Sequence, residues 1–324
     1  MSGDPEDAEF RPARPAKTRP ALRAALAWSV LLAYLALIEA LIGWAALVAP
    51  WRALNPGQLT IAACLFSMSY AIRAHRLYDY VRDAARGRWL LALRLMILHN
   101  ALNNLMPMRS GELSFPLLAK RYFGLGFGRS VPVLLWFRLL DLHTVLLIAC
   151  AILVSEISSW QVAALVITPL AAAPAAAYAG RDALRRRIRT WRKRRLSALG
   201  LKALDGLPED WMHFARSWGL TWANWLLKLL VLAWVLAQFV DASFIAAAMG
   251  AIGGELTSVL PFHAPGGVGT YEAGIVAGIA PFGVGMRASI EAAVNAHLFV
   301  LGAALVGAAL ALLVPRRTPR RFAE

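Results

Sequence analysis

The chain has 324 residues, of which 59% are hydrophobic, and its mean hydropathy is +0.55. That balance excludes an ordinary soluble domain, in which apolar residues make up about half of the chain. The formal charge of +15 would suit a nucleic-acid binder, but basic residues in a membrane chain mark cytoplasmic loops, so we predict no nucleic-acid partner. Cys64 and Cys150 lie in apolar runs, which argues against a disulfide framework. The composition predicts an all-α, polytopic membrane protein.

The N-terminal segment is rich in proline and charge and precedes the first apolar run. We predict a disordered cytoplasmic tail over residues 1–22, one transmembrane domain over residues 23–315 and a basic cytoplasmic tail over residues 316–324. Apolar runs of this kind cross a hydrocarbon core of about 30 Å as helices. Six full spans are predicted, at residues 24–48, 58–73, 131–154, 160–179, 219–240 and 289–314.

Two further apolar stretches, residues 89–118 and 242–281, are interrupted by polar residues, proline and glycine. Basic segments flank the first stretch on both sides, so it is predicted to enter from the cytoplasm and return, whereas the second begins and ends outside. We therefore predict two oppositely oriented re-entrant helical hairpins, the pattern of an inverted repeat. Two kinked spans are the alternative, because neighbouring helices can satisfy the backbone groups that a kink frees.

The segment RAHRLYDYVRDAARGR, which starts at residue 73, and the loop over residues 181–218 are both basic and are predicted to be cytoplasmic. In the loop, leucines recur at helical spacing between tryptophans. We predict an interfacial segment that lies on the anionic lipid surface, with a plain cytoplasmic loop as the alternative.

The turn NNLMPMRSGE at residues 103–112 is expected to line a polar cavity, because unpaired backbone groups are costly in lipid. Asn103 and Asn104 can cap a broken helix or bind a ligand. Arg109 is the leading candidate, since a guanidinium binds phosphate through paired hydrogen bonds and keeps its charge. An ion pair between Arg109 and Glu112 that closes the hairpin is the alternative.

Charged residues also occur inside the predicted spans. Arg138 and Asp141 lie three residues apart on one helix face, where they either neutralise each other or contact a ligand. Glu39 needs a partner from another helix or a proton, and Lys228 is a candidate partner. Snorkelling of Lys228 toward the cytoplasm is the alternative.

The second broken stretch contains APGGVGTYE. Its glycines can present backbone N–H groups to an anion, and two polar residues follow them. The candidate binding residues here are Gly266, Gly267, Gly269, Tyr271 and Glu272. Glu272 and Glu39 are also the candidates for proton coupling.

The histidines give no convincing metal site. His99, His263 and His297 are scattered along the chain, and packing or capping roles are expected for them. The sequence contains neither a nucleophile triad nor a P-loop, so we predict no catalytic residue, no metal and no cofactor.

Taken together, NNLMPMRSGE, FRLLD and LPFHAPGGVGTYEAG resemble the transmembrane region of lysylphosphatidylglycerol synthases and of similar stand-alone membrane proteins, over about residues 20–315. In the bifunctional synthases this region is thought to move the aminoacylated phospholipid between leaflets, while a separate soluble domain performs aminoacyl transfer. The triplet FHA before Pro265 is less typical of the family. The residues that match the family's motifs are Asn103, Asn104, Pro107, Arg109, Gly111, Glu112, Arg138, Asp141, Pro261, Pro265, Gly266, Gly267, Gly269 and Glu272.

The resemblance implies a flippase-like lipid transporter. Lysyl transfer by the chain itself is not expected, because only PRRTPRRFAE follows the last predicted span. We predict a protein of the bacterial inner membrane, with both termini cytoplasmic, that moves a polar or aminoacylated phospholipid, or a related polyprenyl lipid or glycolipid, between leaflets. Arg109 and Arg138 would hold phosphate, while Glu112, Asp141 and Glu272 would balance those charges or contact a cationic headgroup.

Two other functions stay open. One is a membrane-embedded transferase or hydrolase that acts on a lipid phosphate, although we do not expect an enzyme. The other is a non-catalytic partner subunit of a lipid-modifying enzyme, docked through the 181–218 loop. A homo-oligomer and a complex with a lipid-synthesis enzyme are both compatible with the sequence.

Overall fold

The computed structural model describes residues 20–208, 210–258 and 265–314, with the side chains of that part except those of residues 20–28, 30–31, 107–109 and 265. The described residues are helical and contain no strand, which confirms the predicted all-α class. Their helices are α1 (Pro20–Leu41), α2 (Trp44–Val48), α3 (Pro56–Tyr80), α4 (Arg82–Ala85), α5 (Trp89–Leu105), α6 (Ser114–Phe123), α7 (Phe127–Ile157), α8 (Trp160–Ala179), α9 (Arg181–Arg189), α10 (Arg194–Leu204), α11 (Trp211–Ala237), α12 (Phe244–Thr257), α13 (Thr270–Ile279) and α14 (Met286–Leu313).

Short 3-10 segments join some of these helices, at Ala49–Ala53, Pro107–Leu113, Pro265–Gly267 and Ala280–Phe282. The two predicted tails lie outside the described residues, apart from residues 20–22, which belong to α1.

Among the described helices, α7, α8, α11 and α14 are long and apolar enough to cross a membrane. A fifth candidate span is the pair Leu32–Leu41 and Trp44–Ala53, which bends by 84° around Gly43. Gly43 has a φ of +83°, a conformation that side chains with a Cβ rarely adopt. The chain is therefore a multi-pass membrane protein, and its described part contains four or five apolar helices of membrane length.

The remaining predicted span, residues 58–73, is part of the longer helix α3. This helix has 25 residues, but its C-terminal half carries Arg73, Arg76 and Asp79. Arg73 and Arg76, which begin the basic segment predicted to be cytoplasmic, belong to this helix and are buried in the bundle at 7% and 2% exposure, while the side of the membrane on which they lie stays a prediction.

Helices α5 and α6 form an antiparallel hairpin, which we call the first hairpin. The Arg94 Nε–H donates to the hydroxyl of Tyr122 at 3.1 Å, and His99 Nδ1 lies 2.9 Å from the hydroxyl of Ser114. Helix α6 has only 10 residues, well below the roughly 20 needed to cross a bilayer. The segment Pro107–Leu113 forms the tip of this hairpin.

Helices α12 and α13 form the second hairpin, with 14 and 10 residues. Their backbones pack against each other through glycines: a Cβ on Gly253 would lie 2.1 Å from the carbonyl oxygen of Gly274. A Cβ on Gly278 would lie 2.2 Å from the carbonyl oxygen of Met249. Close helix contact at small residues is the usual packing of membrane helices.

Long helices surround the two hairpins. Helix α11 packs on α3 and α12, and α14 packs on α5 and α13. The tips of the hairpins, Pro107–Leu113 and Pro265–Gly267, contact each other. The bundle thus brings both interrupted stretches of the sequence to one place.

The basic loop contains the two short helices α9 and α10. Helix α9 ends with Arg186, Arg187 and Arg189, and the Ser197 hydroxyl of α10 donates to the carbonyl of Ile188 at 2.9 Å. Arg185 and Asp205 form an exposed ion pair at 3.4 Å. The predicted helical character of this loop is confirmed, whereas its contact with lipid stays a prediction.

Candidate functional site

A polar cavity lies between the C-terminal end of α5, the second hairpin with its tip, and helices α3, α7, α11 and α14. Among the described residues, its charged lining consists of the cations Arg73, Arg138 and Lys228 and the carboxylates Asp141 and Glu255. Of the residues predicted from the sequence, the lining includes Asn103, Asn104, Arg138, Asp141, Gly266, Gly267 and Tyr271.

The first charged group of the cavity joins α3 to α7. Asp141 Oδ2 lies 3.1 Å from Arg73 Nη2, and its Oδ1 lies 2.8 Å from Arg76 Nη1. The same Arg76 nitrogen donates to the hydroxyl of Thr221 at 2.5 Å. Two buried guanidiniums therefore share one buried carboxylate, an arrangement that leaves positive charge in excess.

The prediction that Arg138 and Asp141 neutralise each other is wrong. Arg138 Nη2 instead lies 2.7 Å from Glu112 Oε1, at the tip of the first hairpin. His99 joins this group, with its Nε2 3.5 Å from Arg138 Nη2 and 3.8 Å from Glu112 Oε2. The physical reason is that tertiary packing supplies closer partners than the neighbouring turn of α7 does.

Arg109, the leading candidate from the sequence, belongs to the same tip. Its backbone is part of the segment Pro107–Leu113, and its side chain lies outside the described residues. Both its pairing with Glu112 and its role in phosphate binding stay predictions. Gly111 is required at this tip, because a Cβ there would lie 2.4 Å from the backbone of Asn103.

A third charged group joins α11 to the second hairpin. Lys228 Nζ lies 2.6 Å from Glu255 Oε2, and the Tyr271 hydroxyl donates to Glu255 Oε1 at 3.3 Å. The sequence had suggested Lys228 as a candidate partner of Glu39, but in the structure Lys228 pairs with Glu255. Glu39 instead accepts a hydrogen bond from the backbone N–H of Trp44 at 2.8 Å, at the bend after α1.

Glu272 ties the second hairpin to α1 and α14. Its Oε1 lies 2.8 Å from His297 Nδ1 and accepts from the Tyr34 hydroxyl at 2.7 Å. Its Oε2 accepts from the backbone N–H of Gly269 at 2.7 Å, which caps α13. Gly266, Gly267 and Gly269 all have positive φ values, so this turn depends on glycine. Pro261 and His263 lie outside the described residues.

Comparison with known families tests the family resemblance that the sequence motifs suggested. A family model described as "Lysylphosphatidylglycerol synthase TM region" matches residues 21–308, nearly the whole chain. The chain belongs to this family. None of the curated proteins compared with the chain matches it. Membership supports a lipid-related function in a membrane.

In this family member, several buried polar atoms of the cavity lining have no hydrogen-bond partner among the described residues. Three are donors, the Nε–H groups of Arg73 and Arg138 and the indole N–H of Trp225, and one is an acceptor, Oδ1 of Asn103. Buried polar atoms without a partner are rare, and each calls for an explanation such as a bound group or water. Arg73, Arg138 and Trp225 all line the cavity, so an anionic group bound there is a candidate acceptor for these donors.

Sequence reasoning missed Arg73, Arg76 and Glu255 as members of this site. The two arginines begin a basic segment and served only as markers of the cytoplasmic side. Glu255 stands alone in the apolar helix α12, and an isolated carboxylate in such a helix is itself an indication of function. Within the described part of the chain, no three histidine, cysteine, aspartate or glutamate side chains are grouped as a metal site would require.

Proposed function

We propose that this protein moves a phospholipid, or a related polyprenyl lipid or glycolipid, between the leaflets of the bacterial inner membrane without changing it chemically. The observation that carries the proposal is the charged cavity between the end of α5 and the tip of the second hairpin, inside a bundle that includes long apolar helices. A lipid phosphate crosses hydrocarbon slowly because its charge must leave water. A polar cavity at membrane depth lowers that barrier, while the acyl chains stay in the bilayer.

The two hairpins would form the halves of an inverted repeat and enter the membrane from opposite sides. Three observations support this: α6, α12 and α13 are shorter than a span, each hairpin is antiparallel, and the two tips touch. In transporters with this architecture, broken helices at the repeat interface surround the substrate and alternate its exposure. Six spans would be completed by α3 and by the bent pair at α1 and α2.

The residue roles follow from position. Arg73 and Arg138 would hold the phosphate, as would Arg109, and Asn103 and Asn104 would contact the headgroup. Glu112 and Asp141 would balance the arginines to which they are bonded. Glu272, bonded to His297 and Tyr34, is the stronger candidate for proton coupling, because Glu39 lies on the exposed side of the bend.

The orientation follows from the basic segments. We place both termini and helices α9 and α10 on the cytoplasmic side, where the arginines of α9 would contact anionic headgroups. The contact would hold the bundle at a fixed depth. A second copy of the chain or a lipid-synthesis enzyme would be compatible with this placement.

The proposal is tested by leaflet exchange of fluorescent phospholipids in proteoliposomes. We compare the wild type with Arg138→Gln, which removes a charged contact of the cavity, and with Arg287→Gln as a matched control. Arg287 forms an exposed ion pair with Glu291 on α14, away from the cavity. Loss of one hydrogen bond to a charged group corresponds to about tenfold or more in rate.

We expect the wild type and Arg287→Gln to accelerate exchange and Arg138→Gln to be at least about tenfold slower. Mass spectrometry of lipids from the same vesicles should show unchanged headgroups. A chemically altered headgroup would favour the transferase or hydrolase instead. Absence of exchange for every lipid tested, with folded protein in the vesicles, would contradict the proposal.

A further inference from the structure

The carboxylates at the cavity are already paired within the protein. Asp141 binds Arg73 and Arg76, at 3.1 and 2.8 Å. Glu255 binds Lys228 at 2.6 Å and accepts from Tyr271 at 3.3 Å. Both carboxylates are thus already neutralised by buried cations, so an ammonium group on a ligand would add a further positive charge beside them.

The two carboxylates next to the cavity are also paired. Glu112 binds Arg138 at 2.7 Å. Glu272 receives hydrogen bonds from Tyr34 and the backbone of Gly269, and its remaining contact is His297 at 2.8 Å. Each of the four carboxylates described around the cavity therefore already has a donor from the protein.

The cations of the cavity show the opposite pattern. Among the described residues, the lysine and arginine side chains of the lining, Arg73, Arg138 and Lys228, outnumber its two carboxylates by one. Among the described atoms, the Nε–H groups of both arginines and the indole N–H of Trp225 have no acceptor. Arg73 and Trp225 are only 7% and 4% exposed, so bulk water does not readily replace that acceptor. Most of the unpaired polar groups of these lining residues are therefore hydrogen-bond donors, which suit an anionic ligand.

One acceptor is also unused, Oδ1 of Asn103, at the end of α5 beside the first tip. A neutral hydroxyl group would donate to it, and a hydroxyl needs no countercharge. The combination of three donors and one neutral acceptor matches a phosphodiester that carries a hydroxylated headgroup.

We propose that the lipid moved by this protein carries a net negative headgroup, a phosphodiester with a neutral hydroxylated substituent, and that cationic aminoacylated phospholipids are poor substrates. This inference rests on the lipid movement proposed above and narrows its substrate class. Phosphate oxygens accept from Arg73, Arg138 and Trp225, and a headgroup hydroxyl donates to Asn103. A lysyl headgroup brings ammonium groups to a cavity whose described carboxylates are occupied.

The test uses proteoliposomes and three fluorescent lipids with identical acyl chains: phosphatidylglycerol, phosphatidylethanolamine and lysylphosphatidylglycerol. We expect exchange to fall in that order, with phosphatidylglycerol at least about tenfold faster than its lysyl form, since tenfold corresponds to about 1.4 kcal/mol of barrier. Equal or faster exchange of the lysyl lipid would overturn this inference and leave lipid movement intact. Acceleration of none of the three would overturn the proposed function and this inference together.

A series of variants distinguishes the loss of one hydrogen-bond donor from a general loss of folding. Trp225→Phe keeps an aromatic ring and removes the indole N–H, so exchange of phosphatidylglycerol, and of any other lipid that the protein accelerates, should fall several-fold, because all three lipids share the phosphodiester that this N–H contacts. Trp234→Phe, also on α11 but outside the cavity lining, should leave all three rates unchanged. If Trp225→Phe does not fold, Arg138→Lys serves instead, because it keeps the charge and removes the Nε–H. Unchanged phosphatidylglycerol exchange in a folded Trp225→Phe or Arg138→Lys variant would contradict the proposed phosphate contact.

A lipid headgroup and a free phosphate present the same chemistry to these donors. An uptake arm with labelled glycerol 3-phosphate distinguishes the two sources. We expect no uptake into vesicles that exchange phosphatidylglycerol. Uptake without lipid exchange would show that the cavity serves a soluble phosphate and would overturn the lipid as its substrate.

Discussion

The two hairpins have similar dimensions but are held together in different ways. In the first hairpin, side chains join the helices, through Arg94 with Tyr122 and His99 with Ser114. In the second, glycines bring the backbones into contact, and a Cβ on Gly253 would have no space. The loss of one side-chain hydrogen bond leaves the other contacts between the helices in place. By contrast, a single added Cβ at a glycine contact would force the two backbones apart. Apart from its tip, where Gly111 touches the backbone of Asn103, we therefore expect the first hairpin to tolerate single substitutions better than the second.

The hairpins also carry their charges in different places. Glu112 of the first hairpin lies at the tip, where its side chain is 21% exposed. Glu255 of the second lies within α12, with a side chain only 4% exposed. The carboxylate of Glu255 is therefore part of the packed core, whereas that of Glu112 is partly exposed at the hairpin tip.

The largest expected effect comes from Glu255→Gln, which leaves the buried Lys228 without its countercharge. Breaking one side of a buried ion pair costs about 3–5 kcal/mol, so the free energy of unfolding in detergent should fall by that amount. Glu291→Gln, which breaks the exposed pair with Arg287, should cost at most about 1 kcal/mol.

A double variant sharpens this result. Adding Lys228→Met to Glu255→Gln removes the unpaired cation and should restore much of the lost stability, because an apolar replacement of a buried pair is often neutral. Equal losses for Glu255→Gln and Glu291→Gln in denaturant titrations would refute the assignment of Glu255 to a rigid, buried position.

A smaller effect is expected of Gly253→Ala in the second hairpin. The new methyl group must separate α12 from α13, and overpacking of this kind costs about 1–3 kcal/mol. Gly302→Ala in α14 is the matched control, since a Cβ there meets no atom within 4 Å. The thermal unfolding midpoint of each variant is measured by size-exclusion chromatography of heated samples. Similar midpoints for Gly253→Ala and Gly302→Ala would argue against glycine packing as the basis of the second hairpin.

The first hairpin should respond less. Ser114→Ala removes one hydrogen bond to His99 and should lower the free energy of unfolding by about 1 kcal/mol. Ser155→Ala, whose hydroxyl bonds only to the carbonyl of Ile152 in its own helix, is the control and should be close to neutral. A loss from Ser114→Ala as large as that from Gly253→Ala would remove the difference between the hairpins.

The smallest effect lies outside both hairpins, at the start of α11. The backbone N–H of His213, together with its side chain, holds the pKa of Asp210 below its ordinary value of 3.8. Because the folded-state pKa is the lower one, this carboxylate stabilises the protein above about pH 4 and loses that contribution as the pH falls through the lowered pKa. The difference in unfolding midpoint between wild type and Asp210→Ala should therefore shrink from pH 6 to pH 3. A difference independent of pH would exclude the ionised cap as its cause.

Several features were determined by the sequence alone. The apolar runs at residues 131–154, 160–179, 219–240 and 289–314 predicted α7, α8, α11 and α14, and the breaks at Pro107 and near Gly266 predicted where the two short hairpins turn. The motifs also identified the family. These features are local, because the length of an apolar run and the effect of proline or glycine are properties of neighbouring residues.

The tertiary structure decided which charges meet. The spacing of Arg138 and Asp141 suggested one pair, but packing gave Arg138 to Glu112 and Asp141 to Arg73 and Arg76. The energy of an ion pair depends on the distance between side chains of different helices and on the solvent around them. A sequence contains the spacing of charges along each helix, whereas the distances between helices exist only after the bundle has packed.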